Sequence, residues 1–483
     1  MTFQQALLDI RSASPGPSTA AFFDFDGTLI DGYSAKALYA HRLRNKEVGL
    51  AELVHTIRAM AGPTLSEAQF LALLHRGIAG WSGRPVQEIE ALGEQLFRAS
   101  IAGDVFHETW RLVRAHLRRG HTVAIATSAT RFQVAPLARE LGVENLLCTE
   151  LEDRAGLLTG RVAGRTLWGP GKMKAVQDFA KARGLDLTDA FAYANGDEDV
   201  PFLAACGRPR AVNPQPALAE VADERGWQVL RTRPRPGRTD LRPVGRTIAA
   251  YGTLIGAGVV GAALGTLGHD KRRGIDFATS TFGQVASVLT DVEVEVVGEQ
   301  NLWSQRPAVF LINHQSSLVD LIVTTRLLRG GATAVAKKEA ASIPVVGKLL
   351  ELADFAFIDR ADAGRAREAM GESLDRLRAG TSIVIAPEGT RSYTPRIGPF
   401  KKGAFHLAMQ AGVPIVPIVI RNAGEVMWRN ARTMRGGAVQ VRVLEPIDTR
   451  GWTKADLDAA VEEVRAQYVD LLDDWPCDEE GTR

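Results

Sequence analysis

A chain of 483 residues is too long for one ordinary hydrophobic core and is expected to divide into two to four domains. Its 58 Lys and Arg nearly balance 56 Asp and Glu, and a net charge of +2 excludes the basic excess of a general nucleic-acid binder. Cys148, Cys206 and Cys477 are too few and too scattered for a disulfide framework or a zinc cluster, and the start lacks the basic, apolar and small-residue pattern of a secretory leader, so a cytosolic amino-terminal half is expected.

The apolar run Thr19 to Phe23 ends at Asp24 and predicts a buried parallel strand with an acid at its carboxyl end. From Ser34 to about Ile101, segments such as Ala51–Ile57 and Val86–Leu92 repeat apolar residues at helical spacing without strand-like runs, which predicts a helical insertion of about residues 32–104. The α/β alternation then resumes: a helix over Val105–Arg119, a strand over Thr122–Ala126, a helix ending at Leu141 and a strand over Ala190–Ala194. A Pro- and Arg-rich break, residues 231–243, separates this first domain, residues 1–230, from the carboxyl-terminal half of the chain.

Beyond the break, Ile248 to Leu267 carries no charge, and as a helix it would be roughly 30 Å long, about one hydrocarbon core. Gly252, Gly256, Gly261 and Gly265 give it two small-xxx-small spacings that let another helix approach closely. Both flanks are basic. A single crossing would strand the two halves of the chain on opposite sides of the membrane, so residues 244–290 are expected to form a re-entrant or interfacial helix pair at the cytoplasmic face. A soluble helix packed on its small residues is the alternative. Residues 291–483 then form a second α/β domain, closed by an amphipathic helix from Leu457 to Leu472 behind a Thr453–Asp456 cap.

Two constellations carry chemistry. In the first, Asp24-Phe25-Asp26-Gly27-Thr28 places two acids at one strand end, Thr127 follows the second strand, Lys172 lies in Gly169-Pro170-Gly171-Lys172, and Asn195-Gly196-Asp197-Glu198-Asp199 follows the last strand. This ordered set resembles the haloacid dehalogenase superfamily, nearest its phosphoserine-phosphatase-like branch with a helical cap. The resemblance implies a Rossmann-like sheet in which Asp24 attacks phosphorus and Asp26 protonates the leaving alcohol. It also implies that Thr127, or Ser128, binds the phosphoryl group, and that Lys172, or Lys174, neutralises the clustered charge. Mg²⁺ would be held by Asp24, Asp26, Asn195 and Asp199. Asn195 stands where the family commonly has an acid, which weakens the pull on a hard cation unless Asp197 compensates.

The second constellation is Asn313-His314 to Asp320, then Phe357-Ile358-Asp359-Arg360, then Pro387-Glu388-Gly389-Thr390-Arg391-Ser392, then Val413-Pro414-Ile415-Val416-Pro417-Ile418, with Lys337 and Lys338 between the first two blocks. It resembles the 1-acyl-glycerol-3-phosphate acyltransferases. The resemblance implies that His314 is a general base oriented by Asp320, and that Arg360 and Arg391 grip the acceptor phosphate. Glu388 binds the glycerol hydroxyls or holds its loop, Gly389 and Thr390 line that loop, and Lys337 contacts phosphate, donor or lipid head groups. Two departures stand out. The family usually has four residues between His and Asp, whereas this chain has five, so Ser316 or Ser317 is an alternative partner for His314. Asp354 replaces a glycine common in the family.

Together the resemblances imply a membrane-associated bifunctional enzyme. One half would move an acyl group from acyl-CoA or acyl carrier protein to the 2-hydroxyl of lysophosphatidate, without a cofactor, and the other would be a Mg²⁺-dependent phosphomonoesterase. Two alternatives stay open: a protein that is mainly a phosphatase for phosphatidate, lysophosphatidate or phosphoserine, and a phosphatase-like half that only regulates or scaffolds.

Overall fold

The computed structural model describes residues 1–48, 66–233, 240–358 and 363–476, and of residues 363–368 the backbone alone. The expected helix over Ala51–Ile57, the middle of the basic break, and Asp359-Arg360 lie outside them. The chain divides into two compact units between Pro234 and Arg235.

In the first unit seven strands form one sheet: β1 (Ala20–Phe23), β2 (Thr122–Thr130), β3 (Asn145–Arg154), β4 (Leu157–Ala163), β5 (Phe191–Ala194), β6 (Arg208–Val212) and β7 (Gln228–Leu230), in the order β4-β3-β2-β1-β5-β6-β7. All pairs are parallel except the β3–β4 hairpin. Every residue of β1 is buried, as a central strand covered on both faces requires. Its register, Phe23 opposite Ile125 and Tyr193, brings the carboxyl ends of β1 and β5 beside the Ala126–Thr127 stretch of β2. The Ala20 to Phe23 run also explains the short strand: Phe22 and Phe23 fill opposite faces, Phe23 stacking on Tyr193 at 4.3 Å and Phe22 meeting Phe179 edge-on at 6.0 Å. The described parts of the insertion are helical: α1 (Ala35–Arg44), α2 (Glu67–Ala79) and α3 (Val86–Ala99). The hairpin β3–β4 was not visible in the hydrophobic pattern, because its residues are half-exposed and include Glu150, Glu152, Asp153 and Arg154. After it, α4 (Pro170–Arg183) begins with the residues that lead to Lys172.

The second unit also holds a seven-stranded sheet, from β8 (Val292–Val297), β9 (Val309–Ile312), β10 (Ala332–Lys337), β11 (Ala356–Ile358), β12 (Ser382–Ile385), β13 (Ile415–Arg421) and β14 (Gly437–Val443), ordered β11-β10-β12-β9-β13-β14-β8. Only β13–β14 is antiparallel. β9 is fully buried and pairs with β12 and β13, so the turn after it opens at the centre of the sheet. The closing helix α8 (Leu457–Asp473) inserts Tyr468 under this centre. The Tyr468 hydroxyl donates to Leu311 O (2.8 Å) and accepts from Ile418 N (3.2 Å), and burial raises its pKa.

Two helices precede β8: α5 (Arg242–Leu267) and α6 (Lys271–Leu289). They pack through glycine. A Cβ on Gly274 would meet Gly261 O at 2.3 Å, and one on Gly261 would meet Ala278 Cβ at 2.6 Å, whereas Gly252 and Gly256 face open space. Only the second of the two small-residue spacings is therefore used between them. On its other side α6 lies on α7 (Ser317–Leu328), the helix that carries Asp320. There a Cβ on Gly283 would stand 2.2 Å from Arg326 N, so the backbones meet directly. Of the apolar window of α5 only 17 % is buried, and Ile248, Val259 and Leu267 stand exposed. Asp354 has φ +58°, a left-handed conformation that a glycine adopts without strain, and it ion-pairs Lys271 at the start of α6. Gly283→Ala is expected to destabilise this unit by about 1–3 kcal/mol, because the added methyl meets backbone rather than a yielding side chain. An unchanged denaturant midpoint would contradict the α6–α7 contact.

Candidate functional site

The turn after β9 builds the first site. Asn313 pins it to β13: its Nδ2 donates to Ile420 O and its Oδ1 accepts from Ile420 N, both at 2.7 Å. His314 comes next, with its side chain 25 % exposed. Its Nδ1 lies 2.7 Å from Asp320 Oδ2, which also accepts from Gln315 N (3.1 Å) and Ser316 N (3.0 Å). The fifth intervening residue is thus absorbed as α7 begins, with Ser316 extended before Ser317 turns into the helix. Ser316 and Ser317 are not needed as partners of the ring. A carboxylate can only accept, so Nδ1 carries the ring proton and Nε2 presents a lone pair. Asp320 is buried, and its Oδ1 has no hydrogen-bond partner.

β12 delivers Glu388, which is buried. Its Oε1 accepts from His314 N and its Oε2 from Gly398 N, each at 2.9 Å. Burial raises its pKa, and the N–H groups of His314 and Gly398 oppose that rise. Of the two expectations for Glu388, these contacts express the loop-holding one. Gly389 has φ +73°, and Thr390 is exposed. Arg391 is half-buried and donates from Nη1 to Arg429 O (2.7 Å), and Ser392 N donates to His314 O (2.9 Å). Lys337 is exposed at the carboxyl end of β10, next to Ile358 in register. The position of Arg360, two residues past β11, lies outside the described residues. Sequence reasoning missed Asn313, Ser392 and Gly398 as holders of this loop. The place of Asn313 beside His314 in the first block was the one available signal.

The second site lies at the carboxyl ends of β1 and β5, beside the Ala126–Thr127 stretch of β2. Lys172 is buried and forms ion pairs with Asp24 Oδ1 (2.8 Å) and Asp199 Oδ1 (2.6 Å). Burial alone would depress its ammonium, but Asp199 and Asp24 outweigh that and hold its pKa above the ordinary value. Lys174 instead pairs with Asp178 on the surface. Asp26 accepts from Ser34 N (2.7 Å) and Ser34 Oγ (3.2 Å), with Gln133 Nε2 donating to that same Oγ (2.9 Å). Burial, opposed by Ser34 and aided by Asp24, pushes Asp26 up to about 7. It is therefore partly protonated at neutral pH. Thr127 is buried within β2, three residues before its end, with its Oγ1 accepting from Ala129 N (3.1 Å). Ser34 and Gln133 carry no motif signature and were not foreseen.

For a cation the donors suit a hard ion. Asp24 and Asp199 converge on one ammonium, and Asp199 Oδ2 is buried without a hydrogen bond. Asn195 lies against Gly27, where a Cβ would meet its amide at 2.1 Å, and its Oδ1 accepts only a long bond from Thr28 Oγ1 (3.3 Å). Asp197 does not compensate: its Oδ1 accepts from Leu218 N (2.8 Å). Among the described residues no three His, Cys, Asp or Glu side chains form a ready-made cage. An oxygen-ligated Mg²⁺ thus fits, with charge from Asp24 and Asp199 and a neutral Asn195.

These geometries define an α/β unit with acids gathered around a buried lysine and a second α/β unit with a His–Asp pair after its central strand. The family model of haloacid dehalogenase-like hydrolases matches residues 21–204, and that of the acyltransferases matches residues 293–421. The chain is 35 % identical over 218 residues to a 1-acyl-sn-glycerol-3-phosphate acyltransferase of Saccharomyces cerevisiae, covering 44 % of this chain and 71 % of the relative. It is 37 % identical over 194 residues to the human 1-acyl-sn-glycerol-3-phosphate acyltransferase alpha, covering 40 % and 68 %. It is 34 % identical over 269 residues to phosphoserine phosphatase SerB1 of Mycobacterium tuberculosis, covering 53 % and 82 %. The chain belongs to both families, joining a haloacid dehalogenase-like hydrolase domain to an acyltransferase domain whose relatives are 1-acyl-sn-glycerol-3-phosphate acyltransferases.

Asp320→Ala is expected to lower acyl-transfer turnover by at least about tenfold, within the range for a partner of a general base. A rate equal to wild type, in a protein with unchanged secondary structure, would show that the 2.7 Å contact orients nothing that matters.

Proposed function

We propose that the second unit transfers a fatty acyl group from acyl-CoA or acyl carrier protein to the 2-hydroxyl of 1-acyl-glycerol-3-phosphate, giving phosphatidate. The observation that carries this is the buried Asp320 carboxylate 2.7 Å from His314 Nδ1, which leaves Nε2 as the basic atom of a half-exposed ring. Nε2 takes the hydroxyl proton, the oxygen bonds to the thioester carbonyl carbon, and the carbon–sulfur bond breaks. The departing thiolate then takes the proton back from Nε2. No acyl-enzyme forms, and the chain supplies every group this step uses. Arg360 and Arg391 are assigned to the acceptor phosphate, where planar guanidinium groups suit two oxygens at once. Lys337 is assigned to phosphate, donor or lipid head groups.

The first unit is proposed to hydrolyse a phosphomonoester. An Asp24 oxygen attacks phosphorus while Asp26 gives its proton to the leaving alcohol. Water then attacks the aspartyl phosphate, losing its proton to Asp26, and phosphate leaves with Asp24 restored. Thr127 and Lys172 hold the phosphoryl oxygens. Mg²⁺, when bound by Asp24, Asn195 and Asp199, supplies charge neutralisation at phosphorus, and Asp26 is retained as a further donor only where Ser34 releases an oxygen.

The exposed apolar face of α5, flanked by Arg242 and Arg246 before it and Lys271, Arg272 and Arg273 after it, is assigned to a lipid surface at the cytoplasmic side. There both sites would draw on the same pool of lipid phosphomonoesters, and the tether raises their effective concentration for each other.

Purified protein given lysophosphatidate, labelled acyl-CoA and Mg²⁺ is expected to form phosphatidate and pass some of it on to diacylglycerol, whereas Asp24→Asn stops at phosphatidate. No labelled phosphatidate from either protein would reject the acyl-transfer reading. Phosphatidate as the sole product of both would reject a lipid substrate for the first unit. Arg360→Ala and Arg391→Ala should each raise the apparent KM for lysophosphatidate about ten- to a hundredfold, the loss expected for a charge-assisted pair, and leave that for acyl-CoA unchanged. An effect confined to the donor would reassign both.

A further inference from the structure

A segment outside every sequence motif, Trp428-Arg429, is fastened to the loop that comes after Glu388. Arg391 Nη1 donates to the backbone carbonyl of Arg429 at 2.7 Å, and Arg429 Nη1 donates in return to the backbone carbonyl of Arg391. The Arg429 guanidinium also lies 3.8 Å over the ring of Tyr393. Trp428 Nε1 donates to Tyr393 O at 2.9 Å. Between Arg391 and Tyr393, Ser392 donates to His314 O from both N (2.9 Å) and Oγ (3.3 Å). The three residues clasped by Trp428 and Arg429 are therefore the ones that hold the backbone of the general base and carry an assigned phosphate ligand.

We propose that Arg429 is a positioning residue for the phosphate of the acyl acceptor. It acts through Arg391: stacked on Tyr393 and bonded to the Arg391 carbonyl, it fixes the backbone from which the Arg391 side chain extends. An arginine suits this task because one planar group stacks on a ring with its face and donates in its plane, which an ammonium does not do. The reciprocal bonds also bring two permanent cations to one short stretch of the site. A bound dianion gains from both charges, so the clasp is matched to a phosphomonoester rather than to a neutral alcohol. The proposal rests on the assignment of Arg391 to the acceptor phosphate.

The test is steady-state kinetics of the full chain on vesicles containing lysophosphatidate, with acyl-CoA as donor, for Arg391→Ala, Arg429→Ala, Arg429→Lys and the double Ala variant. Arg429→Ala should raise the apparent KM for lysophosphatidate about tenfold, leave that for acyl-CoA unchanged and alter kcat less than about threefold. Arg429→Lys, which keeps charge without the planar stack, should recover only part of the loss. The double variant should resemble Arg391→Ala, because both changes remove one contact. Millimolar guanidinium should lower the raised KM of Arg429→Ala and leave wild type unaffected. If Arg391→Ala raises the acceptor KM and Arg429→Ala does not, the proposal fails and the phosphate assignment stands. If Arg391→Ala has no effect on the acceptor KM, that assignment fails first. Equal changes in both KM values, or a fall in kcat alone, would make Arg429 a general brace of the loop and overturn the proposal. Should Arg429→Ala not fold, Tyr393→Leu removes only the ring beneath the guanidinium and must give the same split; no split overturns it.

Discussion

The position of one proton on the His314 ring governs the acyl-transfer site. Asp320 Oδ2 accepts Nδ1–H and two backbone N–H groups at once, so a single buried oxygen fixes both the tautomer and the turn that presents the ring. Around it the scaffold is redundant. Asn313 ties the same turn to β13, Glu388 ties it to the loop after β12, and Ser392 closes it from the other side. Catalytic geometry of this kind tolerates displacements of well under 1 Å, and the multiplicity of links is what a half-exposed base at the mouth of a sheet requires. The direct backbone contact of α6 with α7 at Gly283 extends this rigidity to the helix that carries Asp320.

The hydrolase unit solves the opposite problem, too much negative charge in too little space. Asp24, Asp26 and Asp199 gather at one edge of a sheet whose neighbouring residues are apolar, and Lys172, buried among them, is the cation that makes the arrangement stable. Burial pushes both Asp26 and Asp199 up to about 7; Asp199 is held by Lys172, whereas Asp26 has no ion pair to that lysine and is steadied by Ser34. The proposed nucleophile, Asp24, thus lies beside an ammonium and the proposed proton donor, Asp26, beside a hydroxyl.

Much of this was legible in the residues because each motif sits at the end of a short apolar run. Thr19–Phe23, Ser382–Ala386 and Val413–Ile418 read as buried strands; Asp24 and Glu388 follow the first two, and the third falls on β13 beside β9. What escaped the sequence has physical reasons. The β3–β4 hairpin is half-exposed and charged, so no apolar alternation marks it. The five-residue spacing of His314 and Asp320 looked like a displacement, yet an extended Ser316 before a helical Ser317 absorbs the extra residue, a local choice that no periodicity encodes. Asp197 resembled a spare metal ligand by spacing alone, and its carboxylate turns to the N–H of Leu218. Ser34, Gln133, Ser392 and Arg429 act through contacts made by residues far apart in the chain, which one sequence does not reveal.

The central claim is that one chain holds two chemically independent sites, with His314 serving as base in only one of them. The direct measurement is the pair of activities of His314→Ala: acyl transfer from labelled acyl-CoA to lysophosphatidate, and Mg²⁺-dependent phosphate release from a generic phosphomonoester such as p-nitrophenyl phosphate. The account predicts that acyl transfer falls at least about a hundredfold, the contribution of a general base, while phosphate release equals wild type. Acyl transfer at the wild-type rate, or loss of both activities in a folded protein, would contradict it.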